Sequence, residues 1–469
     1  LFRKKDHSTW GQIYMPWGYS RRVRTFALVR EAMSDEARTE WERALLLGYE
    51  GIAQDQLQRV HNIPAHHAMG LYCAGQVFER EAWCKQAHDF LHQIADVQAT
   101  DGWWAEHEGP VVAYNLVYVD SLGVYYALSG DEKVLEAIER ASRYHAACVY
   151  PDGSLLETID GRNAYHTGVR LGNAGFSHTP AGRGFLAQQH ALFLQRGGRF
   201  DADYAALMLL YGTDGDIVET SAAQQQHIHR MSDDALIVRH APWYYCLSAF
   251  TAPLTPNRFG QDRQNFFSLY HDAVGLICGG GNTKLQPLWS SFSVGDTALM
   301  YHVAGDEDPD FSARHGLRHV PDQAELGDSA LHLYYGTVEC NIAVRVVNKH
   351  EMEIDMSTSG GNSEQVAAHL TLLAHLGQAL HSDKGICEAL GEETLDWPDS
   401  LWIAHAGWHL DLPPSARLYW PVLPHNPYRK DGTATVEEAR IVVVLPFDEN
   451  CTQHKMTLRV THHESPRSP

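Results

Sequence analysis

The sequence predicts an α+β, multidomain protein: an N-terminal, incomplete α/α toroid of helical hairpins over residues 1–235, then a C-terminal antiparallel β-sandwich over residues 236–469. Three observations carry that expectation. Apolar residues recur at helical spacing up to about residue 235, an Asp-Gly-x-x-x-Glu pattern punctuates that span three times, and the apolar period then changes to two. The length of 469 residues agrees, because a single core stops growing at roughly 250–300 residues.

Ser34 begins the first clear helix signal. It is an N-cap followed by acidic Asp35 and Glu36, after which Ala37, Trp41, Ala44 and Leu45 share one face. Val134, Ala137, Ile138 and Ala141 repeat that spacing. The punctuating pattern stands at Asp101-Gly102 to Glu106, Asp152-Gly153 to Glu157 and Asp214-Gly215 to Glu219. Before each lie about thirty residues that read as two helices joined by a short polar turn, at about 66–100, 115–148 and 183–211. Helix pairs that return in this way, each leading into a long connection, predict hairpins circling a lumen with the connections along one rim.

Beyond residue 236, Cys340, Ile342, Val344 and Val346 alternate with polar neighbours, turn at Asn348-Lys349, and return through Met352, Ile354 and Met356. This is a hairpin with one wet face. Trp243 to Phe250, Asn265 to Tyr270, Ala273 to Ile277, Ala439 to Phe447 and Lys455 to Val460 are further strands. Glu364 to Leu380 reads equally as a helix or as a buried strand running into a turn at Gly377. Many strands without intervening helical periods predict a sandwich.

Composition narrows the function classes. With 44% hydrophobic and 20% charged residues the chain is an ordinary folded protein, and no apolar run approaches the ~18 residues of a membrane span. The 37 Lys+Arg against 58 Asp+Glu give a net charge of −21, which sets nucleic acid and anionic membranes aside as partners. Eight scattered cysteines form no Cys-x-x-Cys pair and read mostly as small buried hydrophobes, with Cys73 and Cys84 the nearest pair. His66-His67 and His227-Ile228-His229 lack the spacing of a metalloprotease helix. Gly279 to Lys284 lacks the P-loop spacing, and no Gly-x-Ser-x-Gly elbow occurs. No metal and no cofactor are therefore assigned. The start at Leu1, without a charged and then apolar leader, reads as a removed leader or a trimmed chain, and on the first reading the protein is secreted or periplasmic.

The densest cluster of ionisable groups in the helical half is residues 151–166. Within it, Tyr165-His166 follows Arg162-Asn163, which sets a proton-transfer group near a cation that would lower a phenol pKa. The same residues also read as a turn in which Arg162 pairs with Asp160 or Glu157. In the connection before it, Trp103 and Trp104 make either a platform for a sugar face or a hydrophobic plug, with Glu106, His107 and Glu108 beside them. Asn115, near a helix start, offers an amide to an acid group, or only a cap. In the strand half, Arg258 and Arg263 suit bidentate capture of a carboxylate with His271 as a neighbouring acid or base, or else form ion pairs.

Hairpins first and sandwich second, together with Ala113-Tyr114-Asn115, Pro151-Asp152-Gly153-Ser154 to Tyr165-His166 and Tyr270-His271 to Gly281-Asn282, resemble polysaccharide lyases of the heparinase II/III and alginate lyase type. The resemblance implies β-elimination on a uronic-acid-containing poly- or oligosaccharide, without a cofactor, in the toroid as catalytic domain. It implies Asn115 as neutraliser of the uronate carboxylate, Tyr165 as base and acid, His166 as its assistant and His271 as accessory residue. Arg162, Asn163, Trp103, Trp104, Glu108, Arg258 and Arg263 would bind substrate. The sandwich lacks the His-x-His-x-Asp run of heparinase-like members, and Leu116 follows Asn115 where several relatives have His. Two other readings stand beside it. One is a toroid glycoside hydrolase using two of Glu106, Glu108, Glu157 and Asp160, set ~5 Å apart for retention or ~6.5–9.5 Å for inversion. The other is a carbohydrate-binding protein without catalysis. The oligomeric state is open.

Overall fold

The computed structural model describes residues 16–297, 306–307, 309–311, 316–360 and 364–461. They divide into two compact units: one of residues up to Glu106, Val112–Ala146 and Arg170–Thr220, and a second of His107–Val111, Ala147–Val169 and the residues from Ser221 onward.

The first unit is helical: α1 (Pro16–Val29), α2 (Asp35–Asp55), α3 (Asn62–Val77), α4 (Glu81–Asp96), α5 (Val112–Ser129), α6 (Glu132–Ala147), α7 (Pro180–Gln195) and α8 (Ala202–Tyr211). The three expected hairpins are α3–α4, α5–α6 and α7–α8. Ser34 caps α2 as its spacing predicts, the hydroxyl accepting from Ala37 N at 3.3 Å. Thr179 caps α7 ahead of Pro180, and Asp201 caps α8. In α4, Ala87, Phe90, Leu91, Ile94 and Ala95 form a buried stripe at helical spacing. Each such large apolar side chain contributes roughly 1.5–3 kcal/mol when buried. In α5 buried residues appear on every side, among them Val112, Tyr118, Val119, Leu122 and Tyr125, so it is an interior helix.

The second unit stacks two antiparallel sheets. The ten-stranded sheet runs through Gln226–Met231, Ala235–His240, Trp243–Ser248, Phe267–His271, Gly275–Cys278, Val366–Leu373, Arg440–Phe447, Arg417–Val422 and Leu395–Trp397, with Phe292–Val294 beside Val366–Leu373. The nine-stranded sheet runs through Gly385–Cys387, Leu380–Ser382, Trp402–His405, Trp408–Asp411, Gln453–Val460, Glu351–Ser359, Val338–Asn348, Ala330–Tyr335 and Gln323–Leu326. Their inner faces share one core, in which Leu247, Phe267, Leu269 and Leu370 of the first sheet join Leu331, Ile342, Met356 and Leu458 of the second. The expected hairpin pairs Val344 with Ile354 and Ile342 with Met356 on this core, while Arg345 and Glu353 form an ion pair at 2.5 Å on the wet face.

Two features differ from the sequence reading, and one ambiguity is resolved. Strand pairing begins at Gln226, inside the span read as helical, because Gln226–Met231 is an edge strand whose only buried residue is Met231. It carries no apolar alternation to find. Residues 147–169 group with the sandwich unit although helices precede and follow them. The ambiguous segment is the strand Val366–Leu373, a turn at Gly377, and the strand Leu380–Ser382. It lies between Arg440–Phe447 and Phe292–Val294 and is buried on both faces, which erases the period-two signal. All eight cysteines are free thiols, five of them buried, and no helix among the described residues is long and apolar enough to cross a membrane.

Candidate active site

The second unit builds its site from the segment that follows α6. A turn closes when Gly153 N donates to Tyr150 O and Tyr150 N to Ser154 O, with Gly153 at φ +83°. Asp152 locks it, its Oδ1 accepting from Ser154 N at 2.9 Å and from Ser154 Oγ at 2.5 Å. This turn presents the other carboxylate oxygen to Tyr165, whose hydroxyl lies 3.4 Å from Asp152 Oδ2 and 3.5 Å from Ser154 Oγ. Tyr165 is 7% exposed.

Glu157 anchors the same segment from below. Its Oε1 accepts from Gly280 N and its Oε2 from the Tyr150 hydroxyl, both at 2.9 Å. Burial raises the Glu157 pKa against these bonds. Tyr150 also lies 2.9 Å from Ser268 Oγ and stacks on Tyr270 at 5.3 Å. Tyr165 N and Arg440 Nη2 both donate to Gly280 O, at 3.1 and 3.0 Å.

The run Gly279-Gly280-Gly281, rejected as a nucleotide loop, is thus a backbone cradle. Its φ values are +119°, +107° and +91°, and a Cβ on Gly280 would overlap the Arg440 guanidinium. Gly280→Ala is expected to cost the protein at least ~2 kcal/mol through backbone strain and that overlap. Urea denaturation checks it, and a midpoint equal to wild type would contradict the cradle.

Above these residues opens a cleft of about 230 Å³. Arg162, Asn163, Tyr165 and His166 line one side, and His425, Tyr428, Glu438 and Arg440 the other. Four residues predicted from the sequence therefore meet in one place. Arg162 Nε donates to the Tyr428 hydroxyl at 3.3 Å, and its guanidinium lies 5.1 Å over the Phe259 ring. Asn163 Oδ1 is 3.5 Å from the same hydroxyl, and its buried Nδ2 makes no hydrogen bond among the described residues. Arg440 is fully buried over Trp289, and burial pulls its pKa down to about 10. It donates to the carbonyls of Gly280, Glu438 and Ala439.

The electrostatics of Tyr165 correct one expectation. Its pKa is raised, not lowered. Burial first, and then the Asp152 carboxylate, hold it above the ordinary phenol value.

The remaining predicted residues are not among those lining this cleft. Asn115, in the helical unit, is fully buried: its Oδ1 accepts from Trp104 N at 2.8 Å and its Nδ2 donates to Trp104 O at 3.2 Å. Trp104 donates Nε1 to Ile94 O and stacks on Tyr118 at 4.9 Å, which is the plug rather than the platform; Trp103 beside it is half-buried. Glu106 accepts from Asn62 at 3.0 Å and pairs with His61 at 3.3 Å. Glu108 is exposed on the short segment 107–111 of the second unit. His271 ends the strand Phe267–His271, with Nε2 3.0 Å from Lys349 O, Nδ1 accepting from Ala273 N, and its ring edge-on to Trp243. Arg263 is buried and donates to Ile159 O at 2.5 Å and Pro110 O at 3.3 Å; Arg258 donates to Arg429 O and Lys430 O. Both arginines hold loops.

Sequence reasoning missed Asp152 as the partner of Tyr165, and the whole far wall of the cleft. That wall comes from the connection between Arg417–Val422 and Arg440–Phe447, a long loop carrying Pro424-His425-Asn426-Pro427-Tyr428. Its length and its His, Asn and Tyr content were the available signal.

No protein-family model matches the chain, and no curated protein matches it. Solved structures do. A heparinase III superposes with a TM-score of 0.54 at 15% identity, over 96% of this chain and 70% of that one. A second heparinase III gives 0.54 at 13% identity, over 100% and 74%. A mutant chondroitin AC lyase of Streptomyces coelicolor A3 gives 0.54 at 14% identity, over 95% and 67%. At these identities the likeness establishes architecture: the chain has the helical-hairpin and β-sandwich fold that these polysaccharide lyases share.

Proposed function

We propose that the protein is a polysaccharide lyase that cleaves a uronic-acid-containing poly- or oligosaccharide by β-elimination in the cleft around Tyr165. The observation that carries this reading is the convergence there of a buried phenol, a carboxylate partner for its proton, and the donors Arg162 and Asn163. The shared fold of a heparinase and a chondroitin lyase supports the same class.

The chemistry follows from the uronate. The proton at C5 lies α to the carboxylate, and its removal spreads negative charge onto the carboxylate oxygens. Arg162 and the Asn163 amide would meet that charge, where fixed donors are most effective. Tyr165 takes the C5 proton while its own proton shifts towards Asp152. The C5–H electrons form the C4–C5 double bond as the C4–O bond breaks. Tyr165 then protonates the leaving oxygen and recovers its proton from Asp152, so both side chains end as they began. His166, exposed at the cleft rim, would orient the leaving sugar.

Three of the four carboxylates named for a hydrolase are held as acceptors instead, and the fourth, Glu108, is exposed. Glu157 serves Gly280 and Tyr150, Glu106 serves Asn62, and Asp160 Oδ1 accepts from Arg162 N and Asn163 N at 2.8 Å. Incubation with a panel of uronate polysaccharides should produce the ultraviolet absorbance of a conjugated, unsaturated uronate. New reducing ends without that absorbance would replace this reading with hydrolysis. Arg162→Ala is expected to lower kcat/KM at least ~10-fold, with a fall in kcat as well as a rise in KM, since its contact with the uronate strengthens as charge develops on the carboxylate oxygens.

A further inference from the structure

We propose that the helical unit carries a binding site for a divalent transition-metal ion, Zn²⁺ being the best fit, formed by His88, His92 and Asp131. It is independent of the cleft and of the proposed reaction.

The two histidines stand one turn apart on α4, so their rings project from one face and lie 4.0 Å apart between centroids. Asp131 comes from the turn between α5 and α6. Its two carboxylate oxygens divide their work. Oδ1 accepts from Lys133 N at 3.2 Å, which fixes the side chain against the start of α6. Oδ2 faces both imidazoles, 2.6 Å from His92 Nε2 and 3.8 Å from His88 Nε2. The three ligand atoms lie within 4.8 Å of one another, and among the described residues no other set of three His, Cys, Asp or Glu does so.

These dimensions suit a metal. Ligand atoms bound at ~2.0–2.1 Å in a tetrahedron are roughly 3.4 Å apart, so an ion would need only to open the 2.6 Å contact and draw in the 3.8 Å one. The surroundings also have the form of a supported site. His88 Nδ1 lies 3.1 Å from Asp89 Oδ1, which sets the proton on Nδ1 and turns the Nε2 lone pair towards Asp131. Asp89 is itself held by Lys85 at 2.5 Å. The Tyr125 hydroxyl donates to Asp131 Oδ2 at 2.9 Å, as an outer partner of a ligating carboxylate does.

Two imidazoles with one carboxylate select a borderline ion over Ca²⁺ or Mg²⁺, which take oxygen ligands. His88 is 44% exposed and His92 25%, so the site opens to solvent and leaves a fourth position for water. The ion would tie α4 to the junction of the next hairpin.

Equilibrium dialysis of the full chain with Zn²⁺, and visible spectra of the Co²⁺ form, test the proposal. The expected result is one tight Zn²⁺ per chain, a four-coordinate Co²⁺ spectrum, and a metal-dependent rise in Tm. In His88→Ala and in His92→Ala the affinity should fall at least ~10-fold, and the spectrum and the rise should disappear. His88→Gln, which keeps the size of the side chain, should behave as His88→Ala does, separating lost ligation from lost packing. Any weaker binding to the other histidines of the chain would persist unchanged in all three variants. Equal affinity, stoichiometry and spectra in wild type and variants, or no uptake by the wild type, would overturn the site.

Discussion

Replacing Tyr165 by phenylalanine is expected to lower kcat by about 10²–10⁴-fold and leave KM within a few-fold of wild type. The ring stays in place, edge-on to Tyr150 at 6.0 Å, and only the hydroxyl with its long contacts to Asp152 and Ser154 is lost. Stability should therefore change by no more than about 1 kcal/mol. Asp152→Asn should approach the same loss of kcat, because an amide oxygen is a poor recipient for the phenolic proton. Its second effect is on the phenol. Burial and the Asp152 carboxylate both raise the Tyr165 pKa, so wild-type Tyr165 stays protonated through mildly alkaline pH. Removing the carboxylate should lower the pKa part of the way, while burial continues to raise it. Difference absorbance against Tyr165→Phe would follow the phenolate. Full turnover in Tyr165→Phe would remove Tyr165 from the mechanism.

Acid is expected to destabilise both units, through three histidines that fold in the neutral form. His145 on α6 is fully buried among Tyr144, Phe176 and Phe185, and burial pulls its pKa from 6.5 to about 3. In the sandwich, burial pulls His369 and His405 to about 4. His405 accepts from His375 N through Nε2 and faces Ala379 O with Nδ1, an arrangement only the neutral ring satisfies. The sign is fixed by linkage. The unfolded chain binds these protons from about pH 6.5 downward and the folded chain only near pH 3–4, so their stability is intact above 6.5 and falls across that window. For His145 the loss amounts to roughly 5 kcal/mol when complete. His145→Phe should remove most of the acid sensitivity of the helical unit, and urea midpoints between pH 7 and pH 4 would measure it. Identical pH dependence in wild type and variant would show that another group governs acid unfolding.

The sequence disclosed the architecture wherever one face of an element is wet. The α4 stripe and the hairpin from Cys340 to Met356 could be read directly, because polar residues marked the other face. Val366–Leu373 could not, being buried on both sides, nor could Gln226–Met231, which buries almost nothing. The near wall of the cleft was legible because Arg162, Asn163, Tyr165 and His166 are neighbours in the chain, and a turn sets them together. The far wall was not: Tyr428 and Arg440 reach Asn163 and Gly280 over more than 150 residues, a separation no local spacing encodes. Asn115, an amide near a helix start that reads either as a donor to an acid group or as a cap, bonds Trp104 N and O and fastens a connection.

The grouping of residues 147–169 with the sandwich bears on how the protein can be made and divided. A ribosome delivers Glu157 and Tyr165 more than a hundred residues before Gly280, so this segment leaves the exit tunnel with its carboxylate, its phenol and its backbone N–H awaiting acceptors and donors that have not been synthesised. The sandwich cannot be completed by its own contiguous sequence. Cutting the chain at the end of the helical unit, or grafting the sandwich onto another protein as a cassette, would separate Glu157 from the Gly280 N–H and Tyr150 from Ser268. The helical fragment would keep a carboxyl group without its bonds, and the strand fragment would lack one wall of its cleft. The boundaries of the two compact units therefore do not coincide with two contiguous stretches of sequence.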